Sequence, residues 1–424
     1  MTFLPLYIDP GTGSMLFSLF IGIAAAASFG LRALFLKIKF IFSAKQSLKA
    51  DNNNSSYPPP YDVQNSTPYV IFSDHKRYWN VFKPVCDEFE RRQIPLVYYT
   101  ASPDDPALSA GYQFVRAEFI GEGNKPYAKL NMLSADILLA TTPGLDVYQW
   151  KRSKGIKHYV HIPHDVSDFA SYRMFALDFY DAVLVSGKHQ IQFTRKMEEL
   201  RPNIKKKELV IAGCTYLDQM QERLDSLPPR EQNERTVVLV APSWGASGIL
   251  ARYGERLLSA MQQEKDFDII VRPHPQTVVS EKDILEPLQA KFPDIEWNFD
   301  NDNFDVLRKS DILITDFSGI MFDYTFIFDK PLIYADTDFD PMPYDADWID
   351  EPMWALRILP ELGVRLEEKD FPYIAQVIKT ALNSETLEQN RQRIKDEAWQ
   401  NRGSSAKSVV DYLVEKHKEL GGKK

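Results

Sequence analysis

The chain has 424 residues, too long for one typical core, so two domains plus additional segments are expected. A hydrophobic share of 44% with 12% aromatic residues excludes global disorder, and a formal net charge of −9 argues against broad nucleic-acid binding, which needs a basic surface. A small anionic substrate is still compatible with that charge, because local donors can outweigh the global field. Cys86 and Cys214 stand in neither metal-type nor redox-type spacing and fit a reducing compartment.

Residues 1–48 read as a membrane anchor helix with a basic flank. Ser14 to Phe29 (SMLFSLFIGIAAAASF) is uncharged, and apolar character resumes after Arg32. That is just enough for one spanning helix of about 20 residues. A cleaved signal peptide wants positive charge before the apolar run, yet the start carries Asp9 and no Lys or Arg. Arg32, Lys37, Lys39, Lys45 and Lys49 follow the run instead, so the positive-inside rule predicts a single-pass anchor with the bulk of the chain cytoplasmic. A helix lying in the interface, with Lys37 and Lys39 near anionic headgroups, is the alternative; both place the protein at the cell membrane. Residues 49–68, rich in Asn, Ser and Pro, form a linker that cannot bury a core.

Beyond the linker, short apolar runs alternate with helical patterns. Strands are expected at Tyr69–Ser73, Leu96–Thr100, Ile137–Ala140, Tyr159–Ile162, Ala182–Ser186 and Leu209–Ala212, then at Val237–Ala241, Asp268–Val271, Ile312–Thr315 and Leu332–Tyr334. They lack clean alternation, as strands buried on both faces of a parallel sheet do. The grammar predicts an α/β fold of two Rossmann-like domains, 69–220 and 235–383, facing a cleft. The charged, Pro228-Pro229-containing stretch Gln221–Arg235 is the expected hinge, and 384–424 a charged, solvated helical segment packing across both domains. Ala135-Asp136-Ile137-Leu138-Leu139 echoes Ser310-Asp311-Ile312-Leu313-Ile314, each leading into a Gly-containing turn; chance similarity between buried strands is the competing explanation.

Ligands of open α/β sheets bind beyond the carboxyl ends of the strands, so residues there are the candidates. In Arg272-Pro273-His274-Pro275 the prolines hold the backbone extended and fix two side chains suited to phosphate binding or proton transfer. In Thr315-Asp316-Phe317-Ser318-Gly319, Ser318 is a plausible N-cap and Gly319 lets a ligand approach the free N–H groups of the helix that follows. Asp323 lies one turn on, placed either for a ligand hydroxyl or as a dipole-favoured acid. Ser243 and Trp244 end the strand Val237–Ala241 at the same rim; Trp244 either covers a ligand or packs between domains. His158, His161 and His164 surround one strand, but His158 and His161 point to opposite faces and no acidic or thiol set completes a metal site. His164, after Pro163, is the residue expected to face the cleft from the first domain, with Asp165 and Asp168 able to orient it. Ser186-Gly187-Lys188-His189 is a further strand–turn–helix junction on that side, with Lys188 a possible acceptor-side contact.

Ile162-Pro163-His164, Ala241-Pro242-Ser243-Trp244, Arg272-Pro273-His274-Pro275, Thr315-Asp316-Phe317-Ser318-Gly319 with Phe322-Asp323, and Asp329-Lys330-Pro331 occur in an order that resembles the CDP-glycerol glycerophosphotransferase family, over roughly Val160 to Asp336. The resemblance implies a GT-B fold, a CDP-linked polyol donor, a lipid-linked or glycan acceptor at a membrane, and transfer without a metal or other cofactor. It makes His164 the base and His274 a donor-phosphate ligand, with Ser318 and Gly319 cradling the diphosphate. Attack by an acceptor hydroxyl on the phosphorus nearest glycerol would release CMP, with Arg272 adding charge stabilisation. Asp165, Gly319 and the segment Val166–Phe169 depart from the family pattern, mostly on the acceptor side. A nucleotide-sugar glycosyltransferase of the same fold and a non-catalytic scaffold are the rival readings.

Overall fold

A computed structural model describes residues 67–231, 234–300, 302–335, 339–342, 345–350 and 352–421. The expected anchor and nearly all of the linker lie outside the described residues. Among the described residues, no helix is long and apolar enough to cross a membrane. The first strand begins at Thr67, so the linker ends two residues earlier than its composition suggests.

Two all-parallel sheets form the two lobes. The first has seven strands: β1 (Thr67–Ser73), β2 (Leu96–Thr100), β3 (Val115–Phe119), β4 (Ser134–Ala140), β5 (Gly155–His161), β6 (Ala182–Val185) and β7 (Glu208–Ile211), ordered β3-β2-β1-β4-β5-β6-β7. The second has six: β8 (Thr236–Val240), β9 (Phe267–Val271), β10 (Glu296–Trp297), β11 (Ile312–Thr315), β12 (Leu332–Ala335) and β13 (Gly363–Leu366), ordered β10-β9-β8-β11-β12-β13. Each order reverses direction once, between β1 and β4 and between β8 and β11. Those switch points are where strand ends part and leave a crevice. Asp136-Ile137-Leu138-Leu139 and Asp311-Ile312-Leu313-Ile314 are thus equivalent in the fold, each belonging to the strand just across its switch point.

The apolar strands are buried on both faces because helices cover both sides. Clusters around Ile71, Phe82 and Tyr98 and around Phe72, Tyr159 and Tyr180 flank the first sheet. A cluster around Val238, Leu258 and Ile333 fills one side of the second. The remaining cluster crosses the lobe boundary, joining Val166, Cys214, Leu217 and Met220 to Phe304, Phe322, Phe326 and Trp354. The two lobes therefore share one continuous apolar contact beneath the cleft.

The C-terminal segment is less solvated than its charge suggests. Ile394 and Ala398 of the helix Glu385–Ala398, with Trp399 at its C-cap, join the cluster at the lobe boundary. The helix Ser405–Glu419 returns to the first lobe, where Val409, Val410 and Leu413 complete its core. Its polar residues are also engaged: Tyr412 Oη lies 2.9 Å from His158 Nε2, and His417 Nδ1 lies 3.0 Å from Asp136. Two basic side chains serve one helix end. Arg230 of the interlobe connection and Lys330 both donate to the carbonyls that end the helix Phe304–Lys309. The hinge is thus tied to the second lobe by opposing the negative end of a helix dipole.

Candidate active site

Parallel register sets the site. In the second lobe Val240 pairs with Val271 and Ile314, so Ser243, His274 and Ser318 emerge from three neighbouring strands, about 4.8 Å apart per strand. In the first lobe Ala140 pairs with Phe72 and His161, which puts Asp74, Thr142 and the Pro163-His164 turn in a corresponding row. A cavity of about 190 Å³ opens between the lobes at the second-lobe row; Asp74, Thr142 and His164 stand behind its wall and do not line it. Asp165, Ser167 and Asp168 line it from the first lobe, and Ser243, Trp244, His274, Phe317, Ser318 and Gly319 from the second.

His274 caps the short helix Pro275–Ser280: its Nδ1 accepts from the Gln276 N–H at 3.1 Å. Accepting there fixes the tautomer, so a neutral His274 carries its proton on Nε2 and can donate to a ligand oxygen. Burial lowers the His274 pKa; Glu281 opposes that shift, and the positive charge of Arg77, from the other lobe, adds to it. Arg77 also stacks on the Tyr78 ring at 4.8 Å, and Tyr78 meets the His164 ring edge-on at 5.4 Å. Tyr78 thus touches His164 directly, while Arg77 acts on His274 only through its charge. Trp244 is 43% exposed with its ring 6.5 Å from that of His274, which places it on the cavity wall and not in packing between the lobes.

His164 stands beside Asp165, its Nε2 3.7 Å from Oδ2. Its Nδ1 is buried without a partner. Asp165 Oδ1 is itself held by the Ser167 N–H and hydroxyl at 3.1 and 2.9 Å. His161 behaves differently. It is fully buried among Phe169, Tyr172 and Tyr180, and burial drives its pKa down to about 3. His158 packs on the opposite face of the sheet, as the three-residue spacing requires. Among the described residues no cluster of His, Cys, Asp or Glu could hold a metal ion.

Several expected ligand contacts are structural instead. Asp316 is buried, and its carboxylate accepts from the N–H groups of Ser243 (2.9 Å), Ser318 (3.1 Å) and Ile249 (3.1 Å). It knits the two loops at the switch point to the start of the helix Ile249–Gln262, with both oxygens engaged by backbone N–H groups. The Arg272 guanidinium turns away from the cavity to the Asn298 side chain and, at 2.7 Å, the Asp300 carbonyl. Asp323 accepts from Tyr216 and Asn303, each at 3.0 Å, and its burial raises its pKa to about 6. Lys188 is exposed at the start of its helix and does not line the cavity. Asp168 does line it, but its carboxylate caps Ala170 at 3.1 Å and accepts from the Trp354 N–H of the other lobe. Gly319 has φ −59°, an ordinary helical value, and a Cβ there would meet nothing within 4 Å. Its role needs no left-handed backbone, only an open approach to the cavity.

Residues that sequence reasoning passed over include Asp74, Arg77 and Tyr78, which follow β1, whereas His189 of the Ser186–His189 junction is buried at the lobe boundary. The His189 ring stacks on Trp354 at 4.0 Å, and its Nε2 lies 2.6 Å from the Val166 carbonyl. Trp354 is gripped between His189 of one lobe and Phe322 of the other. The strand-end rule, applied to β1 as it was to β5 and β9, would have found the Asp74–Tyr78 cluster.

Two doubly wound lobes whose strand ends share a cavity define a two-lobed α/β protein of the GT-B type, built to hold a ligand between its halves. The chain belongs to the CDP-glycerol:poly(glycerophosphate) glycerophosphotransferase family, whose model matches residues 175–414, and it is a CDP-glycerol glycerophosphotransferase-like enzyme. The match takes in His274 and the Ser318-Gly319 turn and begins after His164. No curated protein matches the sequence. Among solved structures, the chain is similar to the wall teichoic acid polymerase TagF soaked with CDPG, at 14% identity over 93% of this chain and 98% of that one, TM-score 0.52. It is also similar to UDP-GlcNAc 2-epimerase from Neisseria meningitidis bound to UDP-GlcNAc (14% identity, 82% of this chain and all of that one, TM-score 0.54). A third is S. aureus MnaA with UDP (11%, 84% and 97%, TM-score 0.54). At these identities the likeness is one of fold.

Proposed function

We propose that this enzyme transfers a glycerol-phosphate or related polyol-phosphate unit from a CDP-linked donor to a hydroxyl of a cell-envelope acceptor, in the manner of teichoic acid synthesis. The observation that carries this is the pairing of His274 and the Ser318-Gly319 turn in one cavity, opposite Asp165 and its neighbour His164. The acceptor oxygen attacks the phosphorus nearest the polyol. A new P–O bond forms, the bond to the CMP phosphate breaks, and the acceptor proton passes to His164. Such general-base assistance contributes about 10²–10⁴ in rate. His274 Nε2–H and the N–H groups after Ser318 oppose the charge that builds on the departing CMP. Family membership supports the donor class, and solved structures of similar fold were obtained with CDPG or UDP.

The anchor read from residues 1–48 would keep the site at a membrane where a lipid-linked acceptor resides. Full solubility after membranes are pelleted without detergent would remove that part of the reading. The donor is tested by thermal shift against CDP-glycerol, CDP-ribitol, and UDP- and GDP-sugars, followed by assay of CMP release. Stabilisation by CDP-polyols and CMP formation are expected. Stabilisation by UDP- or GDP-sugars alone would favour the glycosyltransferase reading, and no nucleotide binding at all would favour the scaffold.

A further inference from the structure

The helix Pro275–Ser280, which His274 caps, is six residues long and has little of its own to hold it in place. Thr277 is its one buried residue, while Gln276, Val278, Val279 and Ser280 are exposed. A helix this short is not stable by itself, and one buried threonine supplies almost no apolar packing. Yet the placement of this helix decides where the imidazole sits, because His274 Nδ1 is bonded to its Gln276 N–H.

Glu281 supplies the missing attachment. It ends this helix and begins the next, Lys282–Lys291. Its Oε2 accepts from the Thr277 hydroxyl at 2.7 Å, and its Oε1 accepts from the Gly245 N–H at 2.8 Å. Gly245 lies in the turn after β8 and has φ +95°, a left-handed value that residues with a side chain rarely adopt. Two carboxylates therefore bracket Trp244: Asp316 holds the Ser243 N–H before it, and Glu281 holds the Gly245 N–H after it. Trp244 and His274 both line the cavity, with their rings 6.5 Å apart and tilted by 32°. Glu281 does not line it, so its effect on a ligand passes through those two residues.

We propose that Glu281 is a positioning residue, whose carboxylate ties the turn carrying Trp244 to the helix capped by His274 and so fixes the donor-side wall of the cavity and the aim of His274 Nε2–H. The inference rests on the reading of this cavity as the CDP-polyol site. Glu281 also places a negative charge near His274, which favours the protonated ring against burial and against Arg77 of the other lobe. Asp165 and Asp168 are the acids on the facing wall. Burial lowers the His274 pKa below its ordinary value, so at pH 8 the ring is neutral and an assay reads geometry in place of charge.

The experiment uses the full chain in detergent at pH 8. It measures CDP-glycerol affinity by calorimetry and CMP release with a soluble alkyl-linked glycerol phosphate as acceptor probe. Glu281→Gln keeps both attachments, since its amide oxygen accepts from the Gly245 N–H and its amide N–H donates to the Thr277 hydroxyl. Affinity and kcat within about 3-fold of wild type are expected for it, whereas Glu281→Ala is expected to lose about 10-fold in affinity and about 10²-fold in kcat, the usual scale for a misplaced wall and donor. Thr277→Val, which breaks one attachment and keeps the volume, is expected to lose about 3–10-fold in affinity, and it decides the matter if Glu281→Ala does not fold. Wild-type affinity in Glu281→Ala or in Thr277→Val overturns the inference. So does an equal loss in Glu281→Gln and Glu281→Ala, which would assign the effect to charge. A wild-type chain that binds no CDP-glycerol sinks the proposed function, and the role of Glu281 with it; a binding wild type with indifferent variants sinks the role of Glu281 alone.

Discussion

Tyr216, on the helix Thr215–Asp225 that leaves the first lobe, donates its hydroxyl proton to Asp323 of the second lobe across 3.0 Å. Asp323 is buried, and desolvation raises its pKa to about 6 even though Tyr216 and Asn303 favour the charged form. Between the unfolded value and 6 the folded state binds more protons than the unfolded one, so this group's contribution to stability falls as pH rises through that window. Above pH 6 the buried carboxylate depends on its two donors.

Tyr216→Phe removes one of them. A loss of about 1–3 kcal/mol is expected at pH 8, where Asp323 must be charged, and a smaller one at pH 5, where it can protonate. Denaturant unfolding at the two pH values tests this. An equal loss at both would show that the bond does not stabilise the ionised form.

His274→Asn separates the two tasks of His274. Asparagine is a good N-cap and can still accept from the Gln276 N–H, so the helix Pro275–Ser280 is expected to stay in place. It lacks the reach of Nε2–H into the cavity. Turnover is expected to fall about 10²–10³-fold, the usual effect of deleting one donor aimed at developing charge, with the thermal midpoint little changed. Near-normal kcat would remove His274 from the proposed chemistry.

Arg272 and His274 differ by two residues and do different work. The Arg272 guanidinium bonds to Asn298 and Asp300, away from the cavity. Arg272→Met is therefore expected to cost about 1–3 kcal/mol of stability by leaving those acceptors unmet. CDP-glycerol affinity, measured by calorimetry on the folded fraction, should be unchanged. A tenfold loss of affinity without loss of stability would return Arg272 to the donor site.

The contrast between these two residues shows what was legible in the sequence. Long apolar runs revealed ten of the strands, because a strand buried on both faces leaves a continuous signal. β3 (VRAEF), β10 (EW) and β13 (GVRL) did not register, since all three are edge strands, short and half polar. The strand-end rule located Ser243, His274, Ser318 and Asp165 on the cavity wall. It could not say which way a side chain turns once past the strand. Asp316, Arg272 and Asp323 all carry ligand-binding chemistry, and all are consumed by hydrogen bonds within the protein. The acids that bridge the lobes were equally hidden, because Asp168 and Asp323 find partners far away in sequence.

His189 carries the sharpest acid sensitivity of the lobe junction. Burial against Trp354 lowers its pKa to about 4, and the bond to the Val166 carbonyl offsets only part of that shift. Between about pH 4 and 6.5 the unfolded chain binds a proton here that the folded chain does not, so stability rises with pH across this window and is fully present above 6.5. A shift of that size corresponds to at most about 3 kcal/mol. His161, held near pKa 3 by burial, acts in the same direction to lower pH, whereas Asp323 opposes both below 6. His189→Phe keeps a ring against Trp354 and cannot protonate. The variant is expected to melt below wild type at pH 7.5, because the Val166 carbonyl loses its donor, and to lose less stability on going to pH 5. Melting curves from pH 4.5 to 8 measure both effects. Parallel curves for variant and wild type would show that the junction does not sense protonation of His189.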